Sequence, residues 1–338
     1  MSAIWTVLLT LLLFAVVIFV HEGGHLLCAK ACGIYVEEFS IGMGPLLFSF
    51  KKGDTLYSLR LLPIGGYCKM PGEDGESDYA NGFDKKSVPK RMLVVAGGAL
   101  FNILFAILIF IVVYMSIGVA SDKAIVGGVE EGYPAYEVGL EKGDRIVAID
   151  GVSLDEWTEM TAIVQQSAGE ELILSVDRDG EILDLAITPV ANEQGLGVLG
   201  ILGGRESVSL FEAVKIGLTQ TYELTKLILT TLWQMITGAI GLELSGPVGV
   251  GHAVGQVVQY GFVNFVVFIA TISVNLGIMN LLPLPALDGS RLVFLGLEGI
   301  RRKPVSPQVE GTIHFIGFAL LMLLLVVITY FDITRIFG

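Results

Sequence analysis

The stretch that decides the fold is AIWTVLLTLLLFAVVIFVHEGGH, residues 3–25. Its first part, residues 3–20, contains only two polar residues, Thr6 and Thr10, and HEGGH follows directly. On a helix, two histidines four residues apart lie on one face and can bind one Zn²⁺, while the adjacent Glu can act as a general base on water. Because this water-activating motif directly follows a segment that belongs in lipid, the sequence favours an enzyme that cleaves peptide bonds inside the bilayer.

The composition predicts an integral membrane protein. The 338 residues are 53% hydrophobic and 16% charged, with a mean hydropathy of +0.71, whereas soluble domains carry about 25% charged residues. Three further apolar runs, residues 92–120, 262–282 and 313–330, are near or above the ~20 residues of a spanning helix. The first run ends in HEGGH rather than in a small-residue cleavage site, so we do not predict a cleaved signal peptide. The expected partner is the lipid bilayer, with no nucleic acid.

The charge distribution predicts the topology. Residues 30–91 hold nine Lys and Arg residues, which places them in the cytosol by the positive-inside rule. The first helix therefore runs inwards, and HEGGH lies near its cytosolic end. Residues 121–205 and the C-terminus then lie outside. The stretch 210–242 is fairly apolar, and we interpret it as a helix or helix pair at the outer interface. If it crossed the membrane once, the run 262–282 would be inverted, and its polar end would lie on the opposite face of the bilayer from HEGGH.

The third zinc ligand is expected in NLLPLPALDG, residues 280–289. Catalytic zinc needs three protein ligands and one open position. This segment ends an apolar run, its prolines break the helix, and it presents Asp288 at membrane depth, where an ionisable group is a functional candidate. The alternative is that Asp288 caps the next helix. His252 and His314 are poorer candidates, and a Cys/His metal site built from Cys28 and Cys32 is a less favoured alternative.

Small residues in HEGGH suggest close packing at the site. Gly23 and Gly24 are costly in a helix, by ~1 kcal/mol each relative to Ala. Their size would let another helix or the loop after HEGGH approach the metal, with Gly97, Gly98 and Asn102 of the second helix as candidates for this contact. Ordinary helix packing without catalytic relevance is the alternative.

With HEGGH in the first helix, NLLPLPALDG in the third and a compact outer region before the third, the chain resembles the site-2 protease family of the bacterial RseP type from end to end. The resemblance implies a zinc-dependent intramembrane endopeptidase that acts in regulated intramembrane proteolysis. Its substrates would be single-span membrane proteins, such as anti-sigma factors, or remnant signal peptides. The residues so implied are the zinc ligands His21, His25 and Asp288, the catalytic base Glu22, and Asn280, Pro283 and Pro285, which help to hold the substrate.

The loop after HEGGH predicts a β-hairpin. Residues 35–41, 46–50 and 55–62 alternate like strands and are separated by Gly and Pro turns. An exposed strand edge could pair with an unwound substrate. In members of the family such a loop dips into the membrane, which is tolerated where protein or water covers it. A cytosolic hairpin packed beneath the helices is the alternative.

The outer region, residues 123–190, predicts a compact α+β domain. Residues 157–166 are typical of a helix, and residues 172–177 and 182–188 flank the hairpin turn Arg178-Asp179-Gly180. The region resembles a PDZ domain, which captures an extended peptide by strand addition. It would serve substrate recognition, or it would be a rigid plug over the entrance to the active site.

The sequence thus predicts a polytopic α-helical membrane protein with four transmembrane helices, a membrane-associated β-hairpin loop and an extracytoplasmic PDZ-like α+β domain. It would lie in the plasma membrane with its active site near the cytosolic side. A catalytically silent scaffold acting through the PDZ-like domain is the alternative, and a transporter is disfavoured because the two halves show no internal repeat. The expected regions are 1–32 (first span), 33–90 (β loop), 91–120 (second span), 121–205 (outer domain), 206–260 (interfacial helices and a Gly-rich segment), 261–291 (third span), 292–312 (cytosolic loop) and 313–338 (fourth span and C-terminus).

Overall fold

The structure, a computed structural model, describes residues 3–241 and 245–337. The ends of the predicted regions that fall on residues 1, 242 and 338 therefore lie outside the described residues. The chain forms two compact units, one made of Met1–Ile111 with Val214–Gly338 and the other of Val112–Ala213. The helices in chain order are α1 (Ala3–Ala31), α2 (Val88–Ile117), α3 (Pro134–Glu137), α4 (Trp157–Gln166), α5 (Leu210–Ile236), α6 (Pro247–Val257), α7 (Phe262–Leu281), α8 (Asp288–Arg301) and α9 (Pro307–Phe337).

Four predicted membrane spans are confirmed by length and composition. Within the described residues, α1, α2, α7 and α9 are long and apolar enough to cross a bilayer. Helix α5 does not qualify as a span and is one continuous helix rather than a pair. Its predicted place at the outer interface stays a prediction.

Helix α1 is longer than its apolar run and carries HEGGH inside it. Leu13 and Val17 are 0% and 1% exposed, and the buried positions continue through His21 and His25 at the same four-residue spacing. Positions four apart share one helix face, so the metal-binding face continues the core-facing stripe. The other face stays apolar and exposed, with Leu12 and Phe19 at 50% and 49%, as a lipid-facing surface requires.

The predicted hairpin forms, with two long strands, β1 (Glu38–Lys52) and β2 (Thr55–Lys69), that pair antiparallel. Residues 38–41 of β1 have partners in both halves of β2, since Phe39 lies opposite both Tyr57 and Cys68. Residues 66–69 thereby form a border of this sheet. The opposite border of the sheet, where Phe48 lies across from Leu59, exposes large apolar side chains, with Leu47 and Phe48 at 58% and 61%.

The Gly-rich segment before α7 forms α6, which packs against α1 and α9. Three glycines make this an intrinsically poor helix. Its N-terminus is held by Asp332 of α9, whose Oδ2 accepts hydrogen bonds from the backbone N–H groups of Gly246 at 2.9 Å and Gly249 at 2.8 Å. A carboxylate at a helix N-terminus also complements the helix dipole.

The second unit is α+β, as predicted. Its central sheet has the order β6-β5-β7-β8, and the predicted helix (α4) and hairpin (β7–β8) are confirmed. Its buried Asp144 accepts two hydrogen bonds from Arg178, at 2.8 and 2.7 Å, which hold the pKa of Asp144 below its usual value. The strands are β3 (Val119–Ala120), β4 (Val126–Val129), β5 (Arg145–Ile149), β6 (Val152–Ser153), β7 (Leu172–Arg178), β8 (Glu181–Ile187), β9 (Val190–Ala191), β10 (Gly197–Val198), β11 (Ile201–Gly203) and β12 (Arg205–Glu206).

Candidate metal centre

Helix α1 presents the two imidazoles of HEGGH side by side. His21 and His25 are each 8% exposed, and their rings meet edge to face with centroids 4.8 Å apart. Nδ1 of His25 lies 2.9 Å from the carbonyl oxygen of Val94 in α2. Because a carbonyl only accepts, Nδ1 carries the hydrogen, and the lone pair is on Nε2. That lone pair faces Nε2 of His21 at 3.3 Å.

Asn102 of α2 contacts Nδ1 of His21, as Val94 contacts Nδ1 of His25. Its side-chain amide lies 3.4 Å from Nδ1 of His21, and Asn102 is fully buried. Its Oδ1 has no hydrogen-bond partner among the described residues. Exchanging the amide O and N, which have the same shape, lets Oδ1 accept the Nδ1 hydrogen of His21. Nε2 of His21 is then also free to bind a cation.

Glycines let α2 approach the two imidazoles closely. A β-carbon on Gly24 would overlap the backbone of Gly97, and one on Gly98 would overlap the Nε2 atoms of both histidines. Nothing lies within 4 Å of the β-carbon position of Gly23. The close approach predicted from both HEGGH glycines is therefore wrong for Gly23, because its face of α1 opens away from α2.

Asp288 reaches the histidines from a tight turn. Helix α7 ends at Leu281, and α8 begins at Asp288, with Ala286 at φ 71° between them. A β-carbon on Gly289 would overlap the carbonyl oxygens at the end of α7, so only glycine lets α8 start there. Leu287 occupies the cap position, and the alternative that Asp288 caps α8 is therefore wrong.

Three lone-pair atoms converge on one point. Oδ2 of Asp288 lies 3.1 Å from Nε2 of His21 and 3.5 Å from Nε2 of His25, and those two nitrogens are 3.3 Å apart. Four ligands around zinc at ~2.0–2.1 Å are about 3.3 Å from each other. Oδ2 of Asp288 is buried without a hydrogen-bond partner in the described structure. Three such atoms repel unless a cation joins them, so these residues fit Zn²⁺. Within the described residues this cluster includes no cysteine.

Strand β2 passes directly beside Glu22. A β-carbon on Gly66 would lie 2.9 Å from Cγ of Glu22 and 3.3 Å from the side chain of Ile18. The sheet border formed by residues 66–69 thus begins at the predicted base. The sequence did not reveal this contact, although two consecutive glycines in a strand often mark a close backbone approach.

The three residues predicted to hold substrate lie at the end of α7 and just after it. Asn280 is half-buried in the last turn of the helix, and Pro283 is exposed. Pro285 packs against α9, where a β-carbon on Gly317 would overlap it. All three thus lie on the polypeptide that leads into Asp288.

An ion-pair cluster missed from the sequence fixes α8. Arg291 pairs with Glu73 and with Oδ1 of Asp74, the latter at 2.6 Å, and Arg91 of α2 pairs with Glu298. Burial raises the pKa of Glu73 to about 7 against the opposing attraction of Arg291. The one sequence feature that pointed to this cluster was Arg291, which lies one helical turn after Asp288.

Comparison with known proteins gives a concordant result. The model for peptidase family M50 matches residues 9–324. The zinc metalloprotease RasP of Oceanobacillus iheyensis is 35% identical over 98% of this chain and 99% of its own. The regulator of sigma-W protease RasP of Bacillus subtilis is 34% identical over 98% and 99%. A putative zinc metalloprotease of Clostridium perfringens is 38% identical over 97% and 98%.

Among solved structures, the PDZ domain of an SdrC-like protein from Listeria innocua matches at 25% identity with a TM-score of 0.23. It covers 25% of this chain and 97% of that domain.

Proposed function

Because this chain belongs to peptidase family M50, we propose that His21, His25 and Asp288 hold the catalytic zinc of a membrane-embedded endopeptidase and that Glu22 is its base. The chain is a zinc metalloendopeptidase with apolar helices that suit a multi-pass membrane protein. The observation that carries the ligand assignment is the triangle of Nε2, Nε2 and Oδ2 atoms with sides of 3.1, 3.3 and 3.5 Å.

Each side chain has a separate task in peptide hydrolysis. Bound zinc supplies an electrophile that polarises a carbonyl and lowers the pKa of water towards ~7. Glu22 takes a proton from the attacking water and passes it to the leaving amine. The carbonyl oxygen of Val94 accepts the Nδ1 hydrogen of His25, and Asn102, with its amide oxygen turned towards His21, accepts that of His21, so that both Nε2 atoms stay available.

The hairpin provides the surface on which substrate is extended. Residues 66–69 form a sheet border beside Glu22, and an unwound segment can join such a border by strand addition. The exposed apolar side chains at the opposite border of the sheet, Leu47 and Phe48 among them, suit insertion into lipid. Asn280, Pro283 and Pro285 hold the same segment from the α7–α8 side.

The second unit serves as an extracytoplasmic PDZ-like domain, and the active site lies near the cytosolic face. The order β6-β5-β7-β8 with α4 beside it supports a PDZ-like fold. The charge pattern supports the orientation, because residues 30–91 hold nine of the 21 Lys and Arg residues and the stretch between α7 and α9 holds four more. The domain recognises the substrate or controls its access.

The substrates are single-span membrane proteins. The Bacillus relative is named for regulation of sigma-W, which supports anti-sigma factors as one class, and remnant signal peptides are the second. A catalytically silent scaffold would have no use for three converging lone pairs in a buried site, and we do not favour it.

The test is cleavage of a single-span reporter by the purified full chain in liposomes, together with zinc content by elemental analysis. Wild type should bind one zinc and cleave, and chelator should abolish cleavage. His21→Ala should lose both zinc and cleavage. A His21→Ala variant that keeps its zinc, or cleavage that persists in chelator, would remove the assigned metal centre.

A further inference from the structure

Helix α9 supplies no ligand, yet it contacts the turn that carries Asp288. Nδ1 of His314 accepts a hydrogen bond from the backbone N–H of Ala286 at 3.2 Å. Because Nδ1 is the acceptor, the ring hydrogen is on Nε2, which has no hydrogen-bond partner among the described residues and lies 3.7 Å from Oε1 of Glu310. The hydrogen bond from Ala286 thus sets the tautomer of His314 and directs its lone pair at the turn.

The same face of α9 also supports the turn by packing. Gly317 lies three residues after His314, on the same side of the helix. A β-carbon on Gly317 would overlap both the ring and the backbone of Pro285. The ring of His314 meets that of Phe294 in α8 edge to face, with centroids 5.9 Å apart. One turn of α9 therefore touches Pro285, Ala286 and α8.

The hydrogen bond to His314 acts on the residue with the least favourable backbone conformation in the turn. Ala286 has φ 71°, a left-handed conformation that residues with a β-carbon rarely adopt. Such a conformation persists only when the surroundings enforce it. Asp288 follows two residues later, and its Oδ2 must lie within 3.5 Å of two imidazoles. A relaxed Ala286 would move this carboxylate.

We propose that His314 is a positioning residue of the metal centre. Its Nδ1 lone pair fixes the Ala286 N–H, and the fixed turn sets the Asp288 carboxylate against His21 and His25. This role rests on the proposed function, since it assumes that Asp288 is a zinc ligand. Helix α9 thereby contributes to zinc binding although it provides none of the three ligands.

The test compares two substitutions of one side chain in the full-length protein. His314→Phe keeps an aromatic ring beside Phe294 but has no acceptor, whereas His314→Asn keeps an acceptor oxygen near the place of Nδ1 but has no ring. Zinc affinity is measured by competition with a chromophoric chelator in detergent. We expect zinc affinity to fall about tenfold in His314→Phe, which is the lower end of the range for residues that support a metal ligand without binding the metal. His314→Asn should bind zinc with near wild-type affinity.

Two results would overturn the proposal. One is wild-type zinc affinity in His314→Phe, which would show that the ring packing and not the acceptor supports the site, and the other is an equal loss in Phe and Asn, which would show that an acceptor at this place does not restore zinc binding. His21→Ala separates these results from failure of the metal centre itself, because it must lose zinc whatever His314 does.

A second pair of variants tests the same support without changing His314. Gly317→Ala places a β-carbon on Pro285, and zinc affinity should fall. Gly311→Ala on the same helix is the control, since nothing lies within 4 Å of its β-carbon position. Equal zinc affinity in the two variants would contradict support of the turn by α9.

Discussion

The two halves of the metal centre are built in opposite ways. His21 and His25 lie on one uninterrupted helix, where regular geometry sets their spacing, and α2 presses against them through Gly24, Gly97 and Gly98. Asp288 comes from a turn with a left-handed alanine, held by α9 and by ion pairs to Arg291. A helix positions ligands through local hydrogen bonds that it would form anyway. A strained turn positions a ligand only through its neighbours.

This difference predicts where each half is vulnerable. The helical half should fail when its packing surface gains volume, because its internal geometry needs no support. The turn half should fail when distant supporting contacts are removed.

The largest effect is expected for Glu22→Gln in the helical half. The substitution is nearly isosteric and leaves all three ligands in place, so zinc content should stay at the wild-type level. Cleavage of the reporter should fall by about 10²- to 10⁴-fold, the usual contribution of a general base. Substantial residual turnover at full zinc occupancy would refute the role of Glu22.

The next effect is expected for Asp288→Asn, which removes the ligand of the turn half. An amide is a poor substitute for the anionic oxygen, so zinc affinity should fall by about 100-fold or more, beyond the effect of most partners outside the ligand set. Chelator competition measures it. Asp54→Asn, in the exposed turn between β1 and β2, is the control. Unchanged zinc stoichiometry and affinity would exclude Asp288 as a ligand.

A smaller effect separates the two neighbouring glycines of HEGGH. Gly24→Ala should destabilise the protein by about 1–3 kcal/mol, because its β-carbon meets the backbone of Gly97 and α2 must move. Gly23→Ala has open space and should gain up to about 1 kcal/mol from helix propensity. Thermal unfolding in detergent measures both. Shifts in the same direction would show that α2 does not pack against this face.

The smallest effect is expected for Ala286→Gly. Glycine relieves the left-handed strain, worth about 1–2 kcal/mol, but loses about 0.4–1 kcal/mol through the entropy of the unfolded chain. Stability should stay within about 1 kcal/mol of wild type, while Ala286→Val should be clearly destabilised. Unfolding of both variants by heat checks this, and equal behaviour would mean that the left-handed conformation is not maintained.

The helical half could be predicted almost completely from the sequence. HEGGH in an apolar run defines its own geometry, and Asp288 is conspicuous as a carboxylate after two prolines. The family comparisons confirm the zinc protease that these patterns indicate. The assignment of individual ligands stays a proposal.

The supports of the site could not be predicted, for physical reasons. Val94 acts through its main-chain carbonyl, which every residue possesses. His314 acts on a backbone N–H, 28 residues distant in sequence. Arg291 reaches Glu73 across more than 200 residues, and no local pattern identifies such a partner. Helix α6 was missed as a regular helix because its stability depends on Asp332 rather than on its own residues.

The attachment of α6 to Asp332 has a practical consequence for work on this protein. The carboxylate lies close to the C-terminus, but it closes the N-terminus of a helix that packs against α1. Shortening the chain to residue 331 would therefore detach a neighbour of the helix that carries HEGGH, about 300 positions earlier in the sequence.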